Sequence, residues 1–285
     1  MRRKCINGRG FFRFISHWFV IHTMIKKYAA LIRANWALTS EYRAEIVLWM
    51  MGSLWVVVMM LVWIGVADGR SINGYAAADY VSYYMVTLFV RNMTAVWSSY
   101  ELDYQIRQGQ LSPKLLRPIH PLHWEISFNL SEKVLRAMIV IPIVVVVLAV
   151  LSHAPLDMRP LAVVAFLISL MLAWLITFFS DYAIGILAFW TSQSTAFVQV
   201  FDGIRSVLSG VLAPIAMFPD ALQAVLAWLP FRYMISFSVE ILTGKLRPEQ
   251  IVQGFAIQSA WALVMVLLVK VMWRRAMKSY SAVGA

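Results

Sequence analysis

Along the chain, apolar runs long enough to cross a bilayer alternate with short polar stretches. About 20 residues of helix span a hydrocarbon core of about 30 Å. The first such run is Ile46 to Val66, followed by a polar loop from Asp68 to Asp79. Tyr80 to Tyr100 is a second predicted span, richer in polar groups and containing Arg91. Residues 101–133 are the longest hydrophilic connection. A Val-rich third span runs from Val134 to Leu151, and Pro142 is expected to kink or open it. After a loop from Ser152 to Pro160, Leu161 to Trp190 holds a fourth span with Asp181 inside it. A small turn at Thr191 to Thr195 leads to a fifth, Phe197 to Met217, carrying Asp202 and Arg205. Residues 218–254 are apolar only in pieces, broken by Pro219, Pro230 and Pro248, and they hold Arg232 and Glu240. Such a pattern predicts one or two short re-entrant helices that dip into the membrane and return. Ile257 to Trp273 is the last span, and a basic tail, 274–285, follows. The predicted fold class is all-α: a polytopic membrane protein with about six transmembrane helices, its membrane domain covering 46–273.

Ahead of the first span, Tyr28, Leu31, Ile32, Trp36 and Leu38 recur at helical spacing between Ile25 and Arg43. Lys26, Lys27, Arg33 and Arg43 are available to the other side, which predicts an amphipathic helix at the cytoplasmic interface, residues 25–45. A solvated helix before the first span is the plainer alternative. Residues 1–24 read as an N-terminal extension. Its apolar stretch is interrupted by Arg13, His17 and His22, unlike the uninterrupted centre of a cleavable signal.

Composition sharpens the membrane assignment. Apolar residues make up 61% of the sequence and charged ones 14%, against about 45–50% and about 25% in soluble domains. The net charge of +11 does not point to nucleic acid, because the basic residues flank apolar runs instead of gathering on a soluble face. Their distribution orients the chain. Lys26, Lys27, Arg33, Arg43, Arg107, Lys114, Arg117, Lys133, Lys270, Arg274, Arg275 and Lys278 fall on one side, together with the basic residues before Met24. The other side holds Arg70, Arg159, Arg232, Lys245 and Arg247. The positive-inside rule then places both termini in the cytoplasm. Cys5 is the single cysteine, so no intramolecular disulfide forms.

Enzyme signatures are missing. There is no G-x-x-x-x-G-K-[ST] phosphate loop and no H-E-x-x-H, and His120, His123 and His153 lie in predicted loops. Ser209-Gly210 lacks the companions of an intramembrane serine protease. Asp202-Gly203-x-Arg205 lacks the further carboxylates that metal-dependent headgroup transfer requires. The chain is expected to bind no cofactor or metal itself.

The stretch Tyr104 to Trp124 reads YQIRQGQLSPKLLRPIHPLHW. A short helix around Gln105 to Gln108, a turn at Gly109, a second short helix from Ser112, then Pro118 and Pro121 predict a compact elbow. Arg107, Lys114 and Arg117 are its basic tips and Leu111, Leu115 and Leu116 its apolar positions. It reads equally as a docking surface or as a solvated turn.

Ile106-Arg107-x-Gly109-x-Leu111, followed by Leu115-Leu116-x-Pro118, resembles the cytoplasmic loop of ABC-2 type transporter permeases. Ser209 to Leu246, with its Leu229-Pro230-Phe231, resembles the fifth span and return segment of that family. Trp273 to Ala285 resembles its terminus, with Ala285 where a second glycine is usual. The likeness covers roughly Met24 to Ala285. It implies a permease half that pairs with a second membrane half, in this branch often a dissimilar one. It also implies two separate ATPase subunits that hold ATP and Mg. The elbow, Tyr104 to Pro118, and the interfacial helix, Lys26 to Arg43, would transmit ATPase closure, with Gln105, Arg107, Gly109, Leu111, Lys114, Leu115, Arg117 and Pro118 as the coupling residues. Substrate would move along the first, second and fifth spans. The importer-type E-A-A-x-x-x-G loop is not found, which favours export.

Charges within spans cost about 2.5–3.5 kcal/mol each on insertion scales, so they are expected to find partners. Asp202 and Arg205, three apart, share a helix face. Arg91 and Asp181 are expected to pair between the second and fourth spans. Structural pairing is favoured over substrate contact for these groups. An ion-coupled secondary carrier, an intramembrane enzyme and a scaffold without transport are the rival readings.

Overall fold

A computed structural model of the chain describes residues 27–151, 155–191 and 194–280. The predicted extension, 1–24, and Lys26 lie outside those residues. All regular elements among the described residues are helical. In order these are α1 (27–41), α2 (Arg43–Met51), α3 (Leu54–Ala67) and α4 (Ala77–Thr94). Then come α5 (Ser98–Arg107), α6 (Leu111–Leu115), α7 (Pro121–Val150) and α8 (Pro160–Ile186). The last group is α9 (Ser194–Leu208), α10 (Asp220–Leu226), α11 (Pro230–Met234), α12 (Ser236–Leu242) and α13 (Pro248–Ser279).

Four stretches are long and apolar enough to cross a membrane: Arg43–Ala67, Pro121–Val150, Pro160–Phe189 and Pro248–Ser279. They turn large apolar side chains outward, among them Leu61, Val146, Ile168 and Leu263. With no water to pull these side chains inward, lipid is their natural surrounding. The chain is an all-α, multi-pass membrane protein.

The interior is built differently. α4 is almost entirely buried, and Tyr80, Tyr83 and Tyr84 are fully enclosed. Their hydroxyls explain why this predicted span is so polar. Tyr83 donates to Gly210 O at 2.8 Å and Tyr84 to Leu212 O at 3.1 Å. Trp63 Nε1 donates to Leu212 O at 3.0 Å and Asn73 to Ala216 O at 2.9 Å. These side chains satisfy the carbonyls of an irregular segment that could not otherwise leave water. That segment corrects the predicted fifth span. The helix stops at Leu208, and the chain turns at Gly210, whose φ is +89°. A Cβ there would lie 2.5 Å from the Tyr83 hydroxyl, so the turn needs glycine for space as well as conformation.

Other boundaries shift as well. The helix of the predicted second span ends at Thr94, not Tyr100, because the chain breaks at Ala95 to Trp97 before α5. Ala95 O, freed by the break, accepts from Asn129 Nδ2 at 3.2 Å and from Lys133 Nζ. The predicted 101–133 connection is mostly helix, since α7 begins at Pro121 and runs unbroken through Pro142. The segment 218–254 resolves into α10, α11 and α12, while α13 starts at Pro248, nine residues ahead of the predicted Ile257. Pro121, Pro160, Pro230 and Pro248 each open a helix, where a missing N–H costs nothing.

α1 lies along the first half of α7. Asn35 Nδ2 donates to Ser127 Oγ at 2.8 Å, Ser131 Oγ reaches Ile32 O at 3.4 Å, and Tyr28 meets His123. The buried face of α1 is polar, Asn35 and Thr39, while Ile32, Trp36 and Leu38 face outward. Lys27, Arg33 and Arg43 are exposed.

Candidate functional site

Two features stand out at one end of the bundle and just inside it: the elbow formed by α5 and α6, and a polar cavity behind the α4–α5 break.

The elbow is braced from within. Asp181, deep in α8, accepts from the backbone N of Ser99 at 2.7 Å and from its Oγ at 2.8 Å. Two donors in the first turn of α5 thus find a buried carboxylate, which a helix N-terminus favours. This corrects the predicted Arg91–Asp181 pair: the partner of Asp181 is a helix start, not an arginine. Gly185 allows the approach, since a Cβ there would sit 2.9 Å from Ser99 Cα. Lower on α5, Asp103 accepts from Arg107 Nε at 2.9 Å and from Ser194 Oγ, the first residue of α9. Burial pulls the Asp103 carboxyl upward, but the hydrogen bonds from Arg107 and Ser194 and the Arg107 charge outweigh it. The carboxyl is held below the usual carboxylate range.

Only part of the elbow faces out. Leu111 is fully buried and Gln105 nearly so, the latter donating to Glu101 at 2.6 Å and Glu125 at 3.1 Å. Lys114 sits between the same two carboxylates, 3.8 Å from Glu101 and 3.6 Å from Glu125. Leu115 is half-buried. Gly109 turns the chain between α5 and α6 with φ +70°. The outward surface includes Tyr104, Arg107, Leu116, Arg117 and Pro118, and Leu116 is 89% exposed. Leu111 and Gln105, expected at the docking surface, serve the elbow's own core. At the same end, Tyr280 from the close of α13 meets Ser112 at 2.6 Å.

The cavity has a volume of about 310 Å³. Arg91 and Thr94 of α4, Arg136 of α7, Asp202, Arg205 and Ser206 of α9, and Trp49 and Trp97 at its edge line it. Arg205 pairs with Asp202 at 2.8 Å. Arg136, almost fully buried, is held by Glu132 at 2.5 Å and by Asn92 at 3.3 Å. Arg91 has no carboxylate within 4 Å among the described residues. So three of the intramembrane charges named from the sequence, Arg91, Asp202 and Arg205, meet here. Asp181 does not.

Arg232 and Glu240 meet elsewhere. The guanidinium donates to Glu240 Oε2 at 2.6 Å, and Ser236 Oγ donates to Oε1 at 2.6 Å. They tie α11 to α12 behind the return segment. Arg136 and Glu132 escaped the sequence reading, although Arg136 falls inside the predicted third span and stands four residues from Glu132. Asp103, Ser99 and Ser194 carried no signal, because their partners are distant in sequence. Among the described residues, no three His, Cys, Asp or Glu side chains come together to hold a metal.

A family profile described as an ABC-2 family transporter protein matches residues 47–284, from the first span through the final helix. The chain belongs to that family. Among individual curated proteins, none matches it significantly. In this ABC-2 type permease, the matched region takes in both the elbow and the cavity. The expected resemblance thus holds at the level of the family, and the molecule is a transport permease of the membrane. Within the permease, the cavity walls come from α2, α4 and α9 and equally from Arg136 of α7, Thr177 of α8 and Met234 of α11, so they are not confined to the first, second and fifth predicted spans.

Proposed function

We propose that this permease is the membrane half of an ATP-driven exporter, working with a second permease half, identical or dissimilar, and two separate ATPase subunits. ATP and Mg bind on those partners. Both chain ends face the cytoplasm, as does the elbow. The observation that carries the reading is the bracing of α5, with Ser99 on Asp181 of α8 and Asp103 on Ser194 of α9. A rigid-body push on the exposed tip, Leu116 to Pro118, would reach α9 without being absorbed in a loop. α9 carries Asp202 and Arg205 into the cavity. Closure of the ATPases would therefore move a cavity wall, which is the coupling that alternating access requires. The basic residues Lys27, Arg33 and Arg43 of α1–α2 are exposed and would hold α1 against anionic headgroups.

The test is affinity purification of the tagged chain from native membranes in mild detergent, with ATP hydrolysis and co-purifying subunits read together. The expected result is an ATPase subunit in the complex, lost when Leu116, Arg117 and Pro118 are changed together to alanine. A complex that is intact and monodisperse but holds no ATPase overturns the exporter reading.

A further inference from the structure

The cavity between α4, α7 and α9 carries more positive than negative charge. Arg205 is paired with Asp202 and Arg136 with Glu132, which leaves Arg91 with no carboxylate within 4 Å among the described residues. A lone guanidinium at membrane depth is costly unless water or an anion meets it, and such groups face substrate pathways. A second observation points the same way. Ser209 lines the cavity, is fully buried, and its hydroxyl has no hydrogen-bond partner. An unspent donor in the same cavity as a guanidinium without a salt bridge suits an oxyanion, which Arg binds by its planar fork.

Size and rim narrow the ligand. About 310 Å³ is at the small end of ligand sites and accommodates a headgroup more readily than a whole lipid. Trp49 and Trp97, with ring centroids 5.1 Å apart, stand at the edge and are exposed outward. Leu48 and Trp55 continue that apolar outer face along α2 and α3. We propose that the cavity recognises the oxyanion headgroup, phosphate or carboxylate, of an amphipathic molecule whose apolar tail lies against the Trp49–Trp97 rim. This names the substrate class of the transport site and so rests on the permease reading above.

The test uses the full chain, purified with its native subunits in mild detergent. Binding of dihexanoyl phosphatidic acid, dihexanoylglycerol (the same tails without an oxyanion) and inorganic phosphate is measured by thermophoresis below micelle-forming concentrations. The expected result is phosphatidic acid bound about tenfold more tightly than dihexanoylglycerol, a preference abolished by Arg91→Gln and largely kept by Arg91→Lys. Dihexanoylglycerol affinity should stay the same in all three proteins. Equal affinity for the two lipids, or an unchanged preference in Arg91→Gln, overturns the proposal. Inorganic phosphate bound as tightly as phosphatidic acid overturns its amphipathic part. Should Arg91→Gln fail to fold, Ser209→Ala must reduce the preference by about threefold, and no reduction overturns the assignment. A complex without an ATPase that keeps the preference overturns only the exporter reading. A complex with an ATPase and no preference overturns only this one.

Discussion

Ser194, the first residue of α9, donates its hydroxyl to Asp103 on the elbow helix α5. Arg107 holds the same carboxylate, at 2.8 Å. The elbow and a helix that lines the cavity are therefore joined by one buried side chain.

Replacing Asp103 with alanine should loosen that joint without dissolving the bundle. Hydrogen bonds to a charged group contribute about 1.5–3 kcal/mol, so a stability loss of about 2 kcal/mol is expected by thermal melting in detergent. ATP hydrolysis by the complex should continue while export falls. Export at the wild-type level in Asp103→Ala would show that the push travels by another route.

The same carboxyl sets a pH dependence. It is held below its unfolded value of 3.8, so its contribution is fully present above that value and disappears as pH falls through the lower folded value. The melting difference between the parent protein and Asp103→Asn should be constant from neutral pH down to about pH 5 and shrink only in stronger acid. A difference that already vanishes at pH 6 would assign it to another group.

Gly185 should not accept a side chain. Its Cβ would press on the Ser99 backbone, which cannot swing aside as a side-chain tip does. Gly185→Ala is expected to cost about 1–3 kcal/mol and to weaken retention of the ATPase, because α5 must move off α8. Unchanged melting and co-purification would mean that α5 is less tightly seated.

Exchanging the charges of Arg91 and Asp181 should fail to rescue either single reversal, since Asp181 serves the start of α5 and Arg91 the cavity. Restored expression and melting in the double exchange would reinstate the direct pair.

Removing one member of the Arg232–Glu240 pair leaves a buried charge, which costs about 3–5 kcal/mol. Arg232→Met with Glu240→Leu should recover most of that loss in thermal melting. A double variant as unstable as the worse single one would show that Ser236 and the pair act as one unit.

The apolar helices could be read directly, because their outward face is set by lipid and needs no knowledge of neighbours. Arg43–Ala67, Pro160–Phe189 and the centres of α7 and α13 are of that kind. What could not be read is the interior. The end of α4 depends on Asn129 and Lys133 catching the carbonyl of Ala95, and the end of α9 on Tyr83 catching that of Gly210. Such breaks are made by partners far along the chain, and hydropathy does not see them. The elbow's residues were visible as a motif, but which of them point out was not. Leu111 and Leu116 look alike in sequence; one is enclosed and the other 89% exposed. Arg91, Asp202 and Arg205 were marked as intramembrane charges, yet only their meeting in one cavity gives them a common purpose.

The central claim is that the tip of the elbow contacts an ATPase. Leu116→Cys, made in a Cys5→Ser background and labelled with a benzophenone maleimide, puts a photo-crosslinker at that tip. Trp228→Cys, exposed just beyond α10 and remote in sequence, is the matched control. Irradiation of native membranes should join the chain to an ATP-binding subunit from position 116 and not from position 228. Crosslinks to an ATPase from 228 alone, or none from 116 in a complex that still hydrolyses ATP, would contradict it.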